Sequence, residues 1–556
     1  MGIISFLLIA DNANKECLMQ ENTLYYGDNL VILREFIKDE SIDLIYLDPP
    51  FNSKATYNVL FKSPDTKEQS HSQITAFEDT WHWGHEAQME YDEIINSSNI
   101  RLSELIQALR KFLKENDMMA YLVMIANRLI ELHRVLKPSG SLYLHCDPTA
   151  SHYLKLVLDA VFGFENYQNE ITWKRTTAHN DTKKFGKNTD IIFFYTKTDK
   201  FTFNIIYQPY DEEYKARFRN IDKDGRRWAD YDLSAKGLSG GGYIYEYKGY
   251  KSLWRCPIET MKKYDEEGRL HFTKTGGIRF KRYLDDMPGM PCQSLWDDIS
   301  PINSQAKERL GYPTQKPLSL LERIIQASSN PGDIVLDPFC GCGTAIHAAQ
   351  KLNRRWIGID ITCLAISLIE KRMKEAFPGL KIDIKGTPKD IESAMDLARR
   401  DKYQFQWWAI SLIDAVPYQD KKKGADSGID GIIFFDDEGS GKYKKIIISV
   451  KGGEHINVSM IRDLKGTIER ENAAIGIFIT LFEPTEPMKK EAASAPLYIS
   501  QRYPSLKCPS IQILTIKGLL DGTEKPIYPN VLLHNIGFKK SEKENTAAPQ
   551  NDLFSS

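Results

Sequence analysis

Two apolar runs set far apart in the chain end in the same way. Ile42, Leu44, Ile45 and Leu47 lead into Asp48-Pro49-Pro50-Phe51, and residues 334–336 lead into Asp337-Pro338-Phe339-Cys340-Gly341-Cys342-Gly343-Thr344. A short apolar run bounded by turn residues reads as a strand buried on both faces. Such strands belong to parallel sheets covered by helices on both sides, whose ligand sites lie outside the strands' carboxyl ends. The chain is therefore expected to be α/β and doubly wound. The two aspartates can share one site only if the strands that carry them are neighbours in the sheet.

The rest of the chain supplies the covering layers. Apolar residues recur at helical spacing over Asn29–Phe36, 101–137, Ser151–Phe162 and Leu318–Ser328. Lys137-Pro138-Ser139-Gly140 reads as a stop and turn before a strand at 141–145, with further strands at 191–196 and 354–359. Residues 52–90 lack a period and read as a mobile loop. From about 200 to 310 periodicity weakens while Tyr, Arg, Lys and Gly accumulate, which marks an insert. A new unit begins after about 390, with helices at 403–415 and 458–471 and strands at 432–435 and 445–450. No repeat of 20–50 residues is present. The expected boundaries are 20–200, 201–310, 311–388 and 395–530, with a polar disordered tail over 538–556.

Bulk properties narrow the setting. The formal charge of −2 excludes a generally basic nucleic-acid binder, so phosphate contacts must come from local patches. None of the eight cysteines forms a CxxC pair, and Cys340 and Cys342 are too close for zinc spacing. A reducing, cytoplasmic location without structural metal is expected. The apolar run 3–10 lacks a basic flank and is too short to span a membrane, so no membrane partner is expected.

The turn at Asp337–Thr344 follows a strand and opens a helix, the arrangement that presents backbone N–H groups to a ligand. Glycines at 341 and 343 permit close approach. Asp360 ends the next strand about twenty residues on, where an acidic side chain holds ribose hydroxyls. A nucleoside-containing cofactor is favoured over a turn that only packs helix on sheet. At the other tip, Pro49 and Pro50 stiffen the turn after Asp48. A carboxylate beside a backbone carbonyl can accept both protons of one –NH₂ group, which frees the nitrogen lone pair to attack an electrophilic methyl. Phe51 offers a face for an extruded base.

Together the two turns resemble the amino methyltransferases acting on DNA, in the beta arrangement where the catalytic motif precedes the cofactor motif. Gly27-Asp28-Asn29-Leu30, Leu142-Tyr143-Leu144-His145-Cys146-Asp147, Trp173-Lys174-Arg175-Thr176 and Thr314-Gln315-Lys316-Pro317 extend the likeness over residues 23–385. The versions at 142–147 and 173–176 are similar to those of type III modification subunits. The resemblance implies a seven-stranded doubly wound Rossmann-like sheet and S-adenosylmethionine as cofactor. It implies that Asp48 and the Pro49 carbonyl, in the turn stiffened by Pro50, hold the target amino group while Phe51 stacks on the base. It implies that Asp337, Pro338, Phe339, Gly341, Gly343 and Thr344 form the methionine end of the cofactor site, that Asp360 holds ribose, and that Asp28 lies near adenine. Asp at position 48 looks like the adenine-N6 form. Cytosine-N4 methylation is the alternative, and a catalytically idle DNA-recognition protein is a third reading. Cytosine-C5 chemistry would need a cysteine nucleophile; Cys292 follows a proline but stands at no strand end beside the cofactor turn, so it reads as structural.

Lys183 and Lys184 ahead of the insert, and Arg217, Arg219, Arg226, Arg227, Lys281 and Arg282 within it, sit among Tyr and Trp, a mixture suited to target recognition by phosphate contact and stacking, or to a solvated face. In the C-terminal unit, Asp430 and the Ser449-Val450-Lys451 strand have the spacing of a hairpin that can bring Asp430 and Lys451 together. Residues 400–520 resemble the restriction-endonuclease-like superfamily in its Mrr-like branch, which implies an α/β domain and Mg²⁺ on Asp430. Ser449 stands where that family has Glu or Gln, and Gln406 where a glutamate often lies. A nuclease and a DNA-binding remnant both stay open, and Lys421–Lys423 would hold phosphate in either. Gly439-Ser440-Gly441-Lys442 lacks the residues of a P-loop. The expected partner is double-stranded DNA, compatible with a homodimer or a partner restriction subunit.

Overall fold

The structure is a computed structural model and describes residues 22–50, 56–61, 72–78, 82–177, 183, 185–236, 241–273, 277–303, 306, 308–310, 312, 315–418, 428–438 and 443–529. One sheet contains Leu295–Trp296, Tyr167–Lys174, Thr189–Thr196, Leu136–Cys146, Ile42–Leu47, Ile334–Asp337, Arg355–Asp360, Asn22–Tyr26 and Ile382–Lys385, in that order. From Leu136–Cys146 to Ile382–Lys385 every pairing is parallel, and Thr189–Thr196 runs against both its neighbours. The sheet therefore has nine strands, not the expected seven. The two additional ones are short edge segments that pair backbone groups the inner strands would otherwise expose.

Ile42, Leu44, Ile45 and Leu47 are wholly buried. Ile42, Ile45 and Leu47 enter one core with Leu122 and Leu129, while Leu44 and Tyr46 enter the other with Leu320 and Ile324. Alternate side chains of one strand thus feed two helical layers, which is why the run reads as continuously apolar. Leu44 stands opposite Val335 and Ile45 opposite Leu336. The strands that end in Asp48 and Asp337 are hydrogen-bonded neighbours.

Three expectations need correction. Residues 101–137 form two helices, Ile100–Leu113 and Asp117–Val135, because Lys114 takes a left-handed φ of 62° and Asn116 caps the second helix by accepting from the Met119 amide at 2.9 Å. The Lys137–Gly140 turn lies inside the strand Leu136–Cys146. It bulges between the Ile42–Leu136 and Leu44–Ser141 pairs, with Lys137 held on Asp43 at 2.7 Å. Within 52–90, Thr56–Phe61 and Ser72–Glu78 pair as antiparallel strands and His85–Ile95 is a helix.

Ile205–Gln293 forms a compact unit of its own. A four-stranded sheet, the hairpin Tyr243–Tyr247/Tyr250–Trp254 and the helix Ile258–Glu266 enclose Leu233, Trp254, Met261, Leu270 and Ile278. In the C-terminal part, the helices Ile391–Arg400 and Lys402–Ser411 precede a five-stranded sheet ordered Val416–Pro417, Gly431–Phe435, Lys444–Lys451, Ile475–Thr480, Ile511–Thr515. No helix among the described residues is long and apolar enough to cross a membrane.

Candidate active site

Both aspartate tips open into one cavity of about 300 Å³. Asp28, Asp48, Pro49, Pro50, Asp337, Pro338, Phe339, Gly341, Thr344 and Asp360 all line it. Phe51 lies outside the described residues. Gly343 does not line the cavity, but as the N-cap of the helix Thr344–Lys351 it sets the turn's exit.

The glycine turn is internally braced. The Phe339 amide donates to Asp337 Oδ1 at 3.0 Å, the Cys340 amide to the Ile359 carbonyl at 3.0 Å, the Gly341 amide to Asp360 Oδ2 at 2.9 Å and the Gly343 amide to the Cys340 carbonyl at 2.7 Å. These four amides are committed within the fold and do not wait for a ligand, contrary to the simplest reading of the motif. The glycines serve geometry instead. Both have positive φ, 50° at Gly341 and 76° at Gly343, and a Cβ on Gly343 would meet Ile369 at 2.8 Å.

Asp360 takes the Thr362 amide and hydroxyl on Oδ1, at 2.9 and 2.8 Å, beside the Gly341 amide on Oδ2. The Ile361 amide also acts on this carboxylate, so its acceptor sites are heavily used within the fold. Burial raises the Asp360 carboxyl against these hydrogen bonds. Burial also pushes Asp337 well above the usual carboxylate range, opposed by the Phe339 amide and aided by the charges of Asp48 and Asp360. The cavity is thus rich in carboxylates that a cationic ligand would compensate.

Asp48 is held by a residue the sequence did not single out. Lys316, buried just before Pro317, donates from Nζ to Asp48 Oδ2. Asp48 Oδ1 is buried and has no hydrogen-bond partner among the described residues. Behind it, Tyr46 Oη meets His145 Nδ1 at 3.0 Å and His145 Nε2 meets Asp190 Oδ2 at 3.1 Å. Burial lowers the His145 imidazole, as does the charge of Lys316, while Asp190 opposes them. Burial pushes Asp190 upward, but the His145 hydrogen bond and the charges of His145, Lys316 and Arg175 outweigh it and hold the carboxyl low. An ionised Asp190 accepts from Nε2–H, so Nδ1 accepts the Tyr46 proton.

Asp28 lines the cavity and also braces its wall. Its Oδ1 caps the helix Asn29–Phe36 through the Leu30 and Val31 amides at 2.8 and 3.2 Å, and its Oδ2 pairs with Arg128 at 3.0 Å. Arg128 also donates to Asn29 Oδ1 at 2.6 Å, and Asn29 donates to the Pro338 carbonyl at 2.8 Å. One arginine from the helix Asp117–Val135 thereby ties two cavity loops together. Arg128, Tyr312, Tyr46 and Lys316 were missed as site residues; only Lys316 lay in a quoted motif.

The family described as DNA methylase (N6_N4_Mtase) matches residues 42–371, which contain both aspartate turns. This chain belongs to the DNA methylase family. The methylase is 29% identical over 370 residues to the type II methyltransferase M.EcaI of Enterobacter cloacae, covering 65% of this chain and 72% of that protein. It is 27% identical over 365 residues to the StyLTI Mod subunit, a type III restriction-modification enzyme of Salmonella typhimurium. That match covers 62% of this chain and 51% of the subunit, about half its length. A putative DNA modification methylase of Thermus thermophilus, solved with S-adenosyl-L-methionine, aligns at 17% identity and a TM-score of 0.33, covering 66% of this chain and 99% of that one.

Its C-terminal part is similar to a second family, NACHT-associated inactive Restriction Endonuclease 1, over residues 409–521. The Mg²⁺ expectation finds no support there. Asp430 Oδ2 accepts from the Val450 amide at 2.6 Å, Ser449 is buried, and Lys451 lines a different cavity from Asp48 and Asp337. Among the described residues no group of three or more His, Cys, Asp or Glu could hold a metal ion. Lys421–Lys423 and Gly439–Lys442 lie outside the described residues.

The cations of the Ile205–Gln293 unit are largely engaged within it. Arg226 binds Asp285 at 2.7 Å and packs over Tyr283, Lys281 binds Asp222 at 3.1 Å, and Arg227 donates to the Phe218 carbonyl at 3.1 Å. Arg217 and Arg282 lie over Tyr214 and Tyr231 at 5.3 and 5.1 Å. Cys292 is half-buried in that unit and does not line the cavity. Lys184 lies outside the described residues.

Proposed function

We propose that this methylase transfers a methyl group from S-adenosylmethionine to N6 of adenine in double-stranded DNA, as the modification activity of a restriction-modification system. The observation that carries this reading is Asp48 Oδ1, without a hydrogen-bond partner among the described residues, in the same cavity as Pro49, the glycine turn and Asp360. Lys316 occupies Oδ2 and fixes the carboxylate's rotamer. That leaves Oδ1 and the Pro49 carbonyl to accept the two protons of an exocyclic –NH₂ group. Accepting both withdraws the nitrogen lone pair from ring conjugation and aims it. Phe51 would stack on the extruded base.

The cavity's donor set suits the cofactor. Asp337 and its neighbouring carboxylates would compensate the cationic methionine end, alongside Phe339, Gly341 and Thr344, and Asp360, which lines the cavity, would hold a ribose hydroxyl. S-adenosylmethionine supplies an electrophilic methyl on a sulfonium, and no covalent enzyme intermediate is needed. The Ile205–Gln293 unit would read the target, and the C-terminal part would bind DNA without cutting it. A homodimer or a partner restriction subunit would complete the system.

Asp rather than Ser at position 48 favours adenine. Cytosine-N4 is the second reading, because the same clamp fits that amino group. DNA methylated with labelled cofactor and digested to nucleosides distinguishes them. Label in N6-methyladenosine is expected, and label in N4-methylcytosine replaces the first reading with the second. Asp48→Ala should lower kcat at least a hundredfold while cofactor affinity changes little. Absence of cofactor binding and transfer by the parent would leave only an idle DNA-recognition protein.

A further inference from the structure

The wall of the aspartate cavity is backed by the C-terminal part. Tyr312 and Cys342 line the cavity, and a Cβ on Gly341 of the glycine turn would meet the Tyr312 ring at 3.3 Å. Tyr312, Cys342 and Leu364 form one buried cluster with Val416, and Trp407 packs against it. Val416 lies on the edge strand of the five-stranded sheet and Trp407 on the helix Lys402–Ser411. Trp407 also packs against the core of that sheet, which includes Phe405, Ile448 and Val450. One side chain is thereby shared between the backing of the cavity and the endonuclease-like core.

A hydrogen bond makes a second link. The helix Cys363–Ala376 starts three residues after Asp360. Thr362 caps it by accepting from the Ala365 amide at 3.2 Å, and donates its hydroxyl to Asp360 Oδ1 at 2.8 Å. The Cys363 amide is among the first four of the helix and has no intrahelical acceptor. It donates instead to Gln404 Oε1 at 3.0 Å, forty-one residues on. Thr362 and Cys363 are both buried. The start of this helix, and with it the residue that braces Asp360, is therefore fixed from the C-terminal part. Close-packed interiors transmit strain, so a shift at Gln404 reaches Asp360 and a shift at Trp407 reaches the glycine turn.

We infer, resting on the S-adenosylmethionine reading, that the endonuclease-like part completes the methyl donor's site, with Gln404 and Trp407 as positioning residues. Gln404 acts through Thr362 on Asp360, and Trp407 acts through Tyr312 and Cys342 on the glycine turn. A part that matches an inactive endonuclease family thus has a use in this chain that needs no cleavage.

Calorimetry on the full chain measures the Kd of S-adenosylmethionine for the parent, Trp407→Ala, Gln404→Met and Gln404→Glu. Gln404→Met keeps the length of the side chain and removes the acceptor, whereas Gln404→Glu keeps an acceptor. Trp407→Ala and Gln404→Met should each weaken binding about tenfold, an ordinary coupling between distinct sites, and Gln404→Glu should restore the parent's affinity. In methylation assays the two weakened variants should raise the KM for the donor, while kcat at saturating donor and the KM for DNA stay at the parent's values. Ile461→Ala is the control, because Ile461 is buried in a separate cluster of the C-terminal part with Ile429 and Phe478. It should lower Tm and leave the donor's Kd unchanged.

Parental affinity in one of the two variants removes that residue from the role, and parental affinity in both overturns the inference. Equal weakening by Ile461→Ala overturns it as well, by tracing the effect to general loosening. Gln404→Glu as weak as Gln404→Met removes the hydrogen bond as the link. Failure of the parent to bind the donor sinks the S-adenosylmethionine reading itself, an outcome distinct from a parent that binds and variants that match it. If Trp407→Ala loses its unfolding transition, Trp407→Phe should still raise the Kd, by a smaller factor, and parental affinity there removes Trp407.

Discussion

Lys316 and Asp48 form an ion pair whose side chains are 8% and 17% exposed, at the tip of a strand buried on both faces. Removing one partner of such a pair leaves an uncompensated charge and costs about 3–5 kcal/mol when fully buried. Lys316→Met should therefore destabilise the chain by roughly that amount or somewhat less, and Asp48→Asn on the same background should cost much less than it does alone. A double-mutant cycle by denaturant unfolding should give a coupling of about 1–3 kcal/mol. Additive effects would show that the two residues do not act as a pair. Asp337 carries a pH signature. Its carboxyl is raised by burial, with help from Asp48 and Asp360 against the Phe339 amide. A carboxyl raised in the folded state binds a proton there that the unfolded chain has released, so stability falls as pH climbs above the ordinary value near 4 (about 3.9). The ligand-free chain should lose stability through that window, and Asp337→Asn should flatten the decline. Equal slopes in the two proteins would remove Asp337 as the cause.

The turn from the strand Ile334–Asp337 to the helix Thr344–Lys351 is a geometric device. Gly343 caps the helix at a φ of 76° and faces Ile369 of the helix Cys363–Ala376. A left-handed conformation costs a non-glycine residue about 1–2 kcal/mol, before any contact with Ile369. Gly343→Ala should destabilise by about 2 kcal/mol or more, and it should cost less on an Ile369→Ala background, where the γ carbons that meet the new Cβ are gone. Thermal unfolding of the four proteins tests it; a neutral Gly343→Ala would mean the turn tolerates a side chain. Lys137–Gly140 gives the opposite lesson at this scale. Its turn signal was genuine, yet sheet pairing on either side absorbed the turn as a bulge.

At the scale of the whole chain, the aspartate tips and Lys451 line separate cavities. The second part matches an inactive family, and its Asp430 carboxylate is engaged by the Val450 amide. Incubation with DNA and Mg²⁺ should yield no cleavage, and Lys451→Ala should be indistinguishable from the parent on a gel. Mg²⁺-dependent cutting that Lys451→Ala abolishes would restore the nuclease reading.

The central strands, the two aspartate tips and the glycine turn were legible because their signals are local: apolar runs of strand length, stiff prolines and glycines at fixed offsets. The sequence by itself therefore determined an α/β fold with a site at the strand ends. That Leu44 pairs with Val335, and so that Asp48 and Asp337 share a cavity, depends on strand order, to which distant segments contribute jointly. Lys316, Arg128 and the His145–Asp190 pair gained their roles only from that arrangement. A lone lysine or arginine has no periodicity of its own, and its partner is chosen by which charge the folded chain buries beside it.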